Sequence, residues 1–189
     1  MPSAYKAIVR RISLLLLCFA PWVAPLPGAT LERLSLNDLI QKSTDIVRGT
    51  LIGSYADFRG TVIYTHFKLQ VTDRWKGASQ SSVEVLVPGG AARGFRQDVT
   101  GAPKLVTGQD YLLFLWTSKS GATYLTGWGQ GVLNLTKDGT GNLVASRPAI
   151  DETILDPSTW LVVKDEGLQM SYADITAQIA ATLNPGASQ

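Results

Sequence analysis

Only one of the 189 residues is cysteine, Cys18, and only one is histidine, His66. Zinc sites built from cysteine and histidine need several such ligands, and disulfide scaffolds need cysteines in pairs, so both are excluded. A histidine-dependent serine or aspartate triad would have to use His66, and no Gly-x-Ser-x-Gly elbow accompanies it. A strong charge of one sign is also missing, with 17 Lys plus Arg against 15 Asp plus Glu, so the chain lacks the electrostatic footprint of a nucleic-acid binder. Long apolar runs are missing too. The longest, Ile12 to Ala20, falls well short of the roughly 20 residues of a transmembrane helix.

That short run is informative in its context. Lys6, Arg10 and Arg11 precede it, and Pro21, Pro25, Pro27 and then Gly28-Ala29 follow. This is the order of a secretory signal peptide: positive charge, apolar core, small-residue cleavage site. Residues 1–29 are read as that signal and 30–189 as one β-rich domain. Ala24, followed by Pro25, is the competing cut. Cys18 has Leu17 before it rather than the small residue of a lipoprotein signal, so no lipid attachment is expected. Cleavage after Ala29 leaves 160 residues with no cysteine, and 14 basic against 15 acidic side chains. The expected location is secreted or periplasmic, without stable membrane insertion after cleavage. A chain of this size can bury roughly 70% of its unfolded surface without disulfide staples.

Beyond residue 30 the pattern is mainly β. Ser35 before Leu36, Asp38, Leu39 and Ile40 predicts a short capped helix ending near Ser43. Ile46 to Gly53 is β-rich, and Gly49 and Gly53 suggest bends or a bulge. Ile63, Thr65, Phe67, Leu69 and Val71 alternate with polar neighbours, which predicts a half-buried strand ended by Trp75-Lys76-Gly77. Val83 to Val87 alternates likewise and is expected to pair with it antiparallel. Tyr111 to Trp116 is apolar on both faces, as in a central strand or a buried helix turn. Lys137-Asp138-Gly139-Thr140-Gly141 between Val132–Thr136 and Leu143–Ala145 predicts a hairpin. Periodicity is lost after Pro148. Ser171 then precedes Tyr172, Ile175, Ile179 and Leu183 at helical spacing, a helix stopped by Asn184-Pro185-Gly186 that packs on the sheet or plugs an open end. Short strands with glycine-rich turns make a small antiparallel barrel, OB-like, closed or partly open, with a short N-terminal helix and a C-terminal helix.

Three groups of residues carry functional readings. Pro88 to Pro103 is long for a connection within a domain, and Arg93 and Arg96 flank Phe95 in it. Either Phe95 is buried under a loop folded over the barrel, or the three form an exposed aromatic and cationic surface for an exported protein or peptide partner. Gly127-Trp128-Gly129-Gln130-Gly131 lies between strands and is not a nucleotide cradle. It reads either as a bend with close backbone approach around an anchored Trp128 or, with Trp75 or Trp116, as a platform for a sugar ring or peptide. Asp151-Glu152 and Asp165-Glu166 read as solvated loop charges, and a carboxylate hydrolase would need two acids converging in one cleft. His66, beside Lys68 on the polar side of its strand, reads as a solvated residue. No catalytic residue, metal site or cofactor is expected.

The stretches Leu36-Asn37-Asp38-Leu39-Ile40, Asp45-Ile46-Val47-Arg48-Gly49, Val71 to Gly77, Val87-Pro88-Gly89-Gly90 and Gly108 to Leu115 together resemble a domain family of uncharacterised secreted bacterial proteins. The resemblance covers most of Leu36 to Leu135. The opening strand and the Lys-Gly turn are also distantly similar to the OB-type barrel of netrin and metalloproteinase-inhibitor domains. Those inhibitors use an N-terminal cysteine and disulfides that this chain lacks, so the likeness implies a barrel and no inhibitory mechanism. What emerges is an exported, non-catalytic binding domain, with a carbohydrate-binding module and then a carboxylate-dependent hydrolase as the alternatives.

Overall fold

The computed structural model describes residues 30–186. The expected signal peptide, with Cys18, lies outside the described residues. In chain order the elements are β1 (Thr30–Glu32), α1 (Leu36–Lys42), β2 (Asp45–Arg59), β3 (Val62–Lys76), β4 (Ser82–Pro88), β5 (Gly90–Ala92) and β6 (Phe95–Gln97). There follow β7 (Asp110–Thr117), β8 (Thr123–Leu125), a single 3₁₀ turn (Trp128–Gly131), β9 (Val132–Lys137) and β10 (Leu143–Arg147). The chain closes with β11 (Thr153–Leu155), β12 (Val162–Val163), β13 (Leu168–Ser171) and α2 (Tyr172–Leu183). No helix among the described residues is long and apolar enough to cross a membrane.

The main sheet has the order β13-β10-β9-β7-β2-β3-β4-β8. It curls until β8 pairs both with β7 and, through the one pair Leu86–Tyr124, with β4. The result is a partly open barrel rather than a sealed one. Gly49 and Gly53 sit at two of the register shifts between β2 and β3 that let these fifteen-residue strands bend. The β3–β4 pairing is antiparallel, as expected. The β4–β8 and β1–β11 pairings are parallel, a departure from the all-antiparallel expectation.

Alternation along the central strands splits the core in two. Val47, Leu69, Val85, Tyr111, Leu113 and Leu115 point into the barrel. Ile46, Leu112, Phe114, Leu133 and Ala145 point outward and are covered by Leu39 and Ile40 of α1 and Ile175 and Ile179 of α2. β7 is therefore apolar on both faces because each face meets a core, which decides for the central strand over a helix turn. α2 lies against the sheet. Ser35 and Asp38 exchange both hydrogen bonds of a capping box at the start of α1, and Ser171 caps α2.

Two regions differ from the sequence reading. Pro88 to Pro103 is not an irregular connection, because β5 and β6 form a tight hairpin within it around Arg93-Gly94. Both turn residues have positive φ, 52° and 80°, so an arginine stands where Asn or Asp normally marks such a turn. After Pro148, β11, β12 and β13 are strands of two to four residues, too short for alternation to show in sequence.

Candidate functional site

The β5–β6 hairpin folds back on the β2–β3 ribbon, where Gln97 Oε1 accepts from Ile63 N at 2.9 Å. Its tip carries the three residues singled out by sequence. Phe95 is 67% exposed, which decides against burial under the loop. Its ring stands edge-on to Phe58 at 6.1 Å. Arg93 and Arg96 are also largely exposed, yet neither charge is uncommitted. Arg93 Nη2 lies 2.9 Å from Asp57 Oδ1 with its guanidinium over the Phe58 ring, and Arg96 makes two 3.0 Å bonds to Asp98. The Phe58 amide and then Arg93 hold the Asp57 carboxyl below its ordinary range, and Arg96 does the same to Asp98. The hairpin thus presents an apolar ring between two arginines already neutralised by their own carboxylates.

Beside it the barrel leaves an aromatic cleft of about 260 Å³. Trp116 from the end of β7 stacks on Tyr124 of β8 at 5.8 Å and 29°, and Tyr64 of β3 meets Tyr124 at 6.3 Å and 63°. Trp128, Pro88 and Pro103 complete the walls. Trp116 is 48% exposed. A larger cleft of about 690 Å³, with Arg96 and Gln97 on its lining, shares Val87, Pro88 and Pro103 with the aromatic one. Sequence reasoning missed Tyr64 and Tyr124 as site residues: Tyr124 faces Trp116 directly across the short β7–β8 hairpin, and the curl of the sheet brings Tyr64 of β3 to that pair. Trp75 is not part of this group, because it packs edge-on against Tyr172 beside the outer core.

The Gly127–Gly131 segment is the expected bend. A Cβ on Gly131 would lie 2.2 Å from Thr126 O, and one on Gly127 2.6 Å from Leu34 Cδ1. Gln130 is buried, accepting from Leu34 N and donating to Glu32 O, both at 2.9 Å. Trp128 itself has φ 57°, a conformation a bulky side chain adopts only when its surroundings enforce it. The same turn that ties down the N-terminal strand therefore aims Trp128 into the cleft.

The remaining candidates are engaged in structure. His66 is not a freely solvated residue: Tyr55 stacks on it at 4.5 Å, and Glu84 Oε1 lies 2.8 Å from its Nδ1. Asp165 is likewise not a solvated loop charge, because it forms a largely buried ion pair with Arg147 and accepts from Ile150 N. Burial raises the Asp165 pKa, but Arg147 and the Ile150 and Gly167 amides outweigh it, and the carboxyl lies below its ordinary range. Asp151 and Glu152 line one rim of a cleft whose other lining side chains include Lys104 and Asn134 but no further carboxylate. Among the described residues no three His, Cys, Asp or Glu side chains are grouped to hold a metal ion. A second apolar surface, Trp160, Leu161 and Val162, is exposed at the edge of the small β1-β11-β12 sheet.

The stretches that carry the sequence resemblance have structural work here. Lys76 Nζ donates to Ile40 O and Gln41 O at 3.1 Å, capping α1. Arg74 pairs with Asp45 at 2.7 Å, and Arg48 with Asp110 at 2.8 Å while lying over the Tyr172 ring. A Cβ on Gly90 would fall 2.5 Å from Thr65 Oγ1. Comparison with known proteins finds no family model matching the chain and no matching curated protein.

Proposed function

We propose that this is an exported binding domain, secreted or periplasmic, that recognises a protein or peptide partner at the barrel end formed by the Phe95 hairpin and the aromatic cleft. The observation that carries this reading is the cleft lined by Trp116, Tyr124, Tyr64 and Trp128 with two prolines, together with the exposed Phe95 on the hairpin that follows Pro88. Interfaces draw most of their energy from a few aromatic anchors in a desolvated centre, ringed by polar groups that contribute little. Phe95, between two internally paired arginines, has that arrangement. Export rests on the signal-like order of Lys6 to Ala29.

Carbohydrate binding is the second reading, favoured by the half-exposed face of Trp116 over Tyr124. The test is a pull-down of exported proteins from the producing organism with the full chain, followed by direct titration of the retained protein. Phe95→Ala and Trp116→Ala should each weaken binding at least about tenfold, the scale of an interface anchor, and leave the far-UV spectrum unchanged. Equal affinity for wild type and both variants would remove this surface from the function. Saturable binding of soluble β-glucan or chitin oligosaccharides, lost in Trp116→Ala, would replace the protein partner by a polysaccharide.

A further inference from the structure

We infer that the aromatic cleft takes a proline-bearing segment in the extended polyproline II conformation, a step that rests on reading the domain as a protein-binding module. The rings form a slot and not a flat platform. Trp116 lies nearly parallel to Tyr124, while Tyr64 stands at 63° to it, and Pro88 and Pro103 line the same space. At about 260 Å³ the slot is smaller than a typical small-molecule site of about 300–1,000 Å³, and suits one or two side chains of a chain passing over it.

Hydrogen-bonding capacity selects among such chains. The side chains lining the cleft include no carboxylate, no carboxamide and no charged group. Their polar atoms are tyrosine hydroxyls and indole N–H groups, and an indole N–H only donates. A sugar presents a hydroxyl at nearly every ring carbon, each a donor as well as an acceptor, and among the lining side chains its donors would find only the phenol oxygens. A polyproline II segment presents the opposite inventory, with backbone carbonyls unbonded internally and no N–H at proline. Acceptor-rich and donor-poor, it matches a wall of donors. The hydroxyls of Tyr55, Tyr111 and Tyr172 all have partners within the fold. Those of Tyr64 and Tyr124, the two in the cleft, have none among the described residues. The neutralised arginines nearby add no demand for an acidic ligand. Aromatic slots that grip a preformed proline helix are a general recognition mode, because the ligand loses little entropy on binding.

The experiment is a titration of the full chain with a ten-residue proline peptide, followed by tryptophan fluorescence. A Ser-Ala peptide of the same length and a chitin oligosaccharide serve as parallel arms. Expected is saturable binding of the proline peptide alone. Trp116→Ala should weaken it at least about tenfold. Tyr124→Phe, which keeps the ring and removes the hydroxyl, should weaken it several-fold at unchanged melting temperature. Equal affinity of wild type and Tyr124→Phe, or no saturable proline-peptide signal from the folded protein, would overturn the inference. If the peptide is inert while a purified protein partner still depends on Trp116, the binding reading stands and the polyproline inference falls. Trp116-dependent binding of the oligosaccharide alone would remove both.

Discussion

Asp165 shows what one carboxylate contributes at the residue scale. Its side chain is 10% exposed, and it is held by Arg147 and the Ile150 amide. Because its folded pKa lies below the unfolded value of about 3.9, its stabilisation is fully present above that value. It is lost as pH falls through the lower, folded one. Asp165→Asn keeps an acceptor for Ile150 N but leaves Arg147 buried without its counter-ion, at a cost of about 3–5 kcal/mol at neutral pH. Urea unfolding should show that penalty shrinking as the pH drops below about 4. A penalty independent of pH would mean that the pair is not ionised in the folded protein.

At the scale of elements, β2 contains two glycines that look alike in sequence and differ in space. A Cβ on Gly49 would lie 2.4 Å from Gln70 O, with Gln70 C and Val71 Cα close behind, all backbone atoms of the paired strand. On Gly53 it would meet nothing within 4 Å. Gly49→Ala should therefore destabilise the protein by about 1–3 kcal/mol, as overpacking does. Gly53→Ala should be neutral or stabilising by up to about 1 kcal/mol, since it removes chain entropy from the unfolded state. Chemical denaturation of the two variants side by side decides this. A comparable loss in both would mean that the strand needs both glycines for its bend. The seven-residue α1 is too short to be stable alone. It depends on the Ser35–Asp38 box at one end, Lys76 on its last carbonyls at the other, and the burial of Leu39 and Ile40.

For the whole molecule, Gln130 is a link between the barrel and the small sheet of β1, β11 and β12, at the β1 end. It serves the backbone on either side of Arg33, and Arg33 N itself donates to Leu155 O. Gln130→Leu keeps the volume but strands Leu34 N–H and Glu32 C=O, at about 1–3 kcal/mol for each group left unpaired. Amide hydrogen exchange should then quicken at Arg33 and Leu34 by at least about tenfold, while β2 and β3 stay protected. Uniform loss of protection across the main sheet would show that the small sheet unfolds only with the rest.

Alternation and capping are local, and they were legible. Period two in Ile63 to Val71, the two-sided apolar Tyr111–Trp116, the hairpin at Lys137–Gly141 and both serine caps depend on neighbours within a few residues, so sequence alone determined the mainly β class and the two helices. It also picked out Phe95 and Trp128. Trp116 and Tyr124 face each other across the local β7–β8 hairpin, but what brings Tyr64 to them is the curl of a sheet whose β4 and β8 meet at one residue pair, a long-range contact that no local pattern encodes. The same holds for His66 against Glu84 and Asp165 against Arg147, charges that read as solvated until distant strands brought a partner within hydrogen-bonding reach. Local propensity is a property of a segment, whereas a cleft or a buried ion pair exists only where separate segments pack. Only the tertiary structure decided that Tyr64 and Trp128 join the Trp116–Tyr124 pair in one cleft.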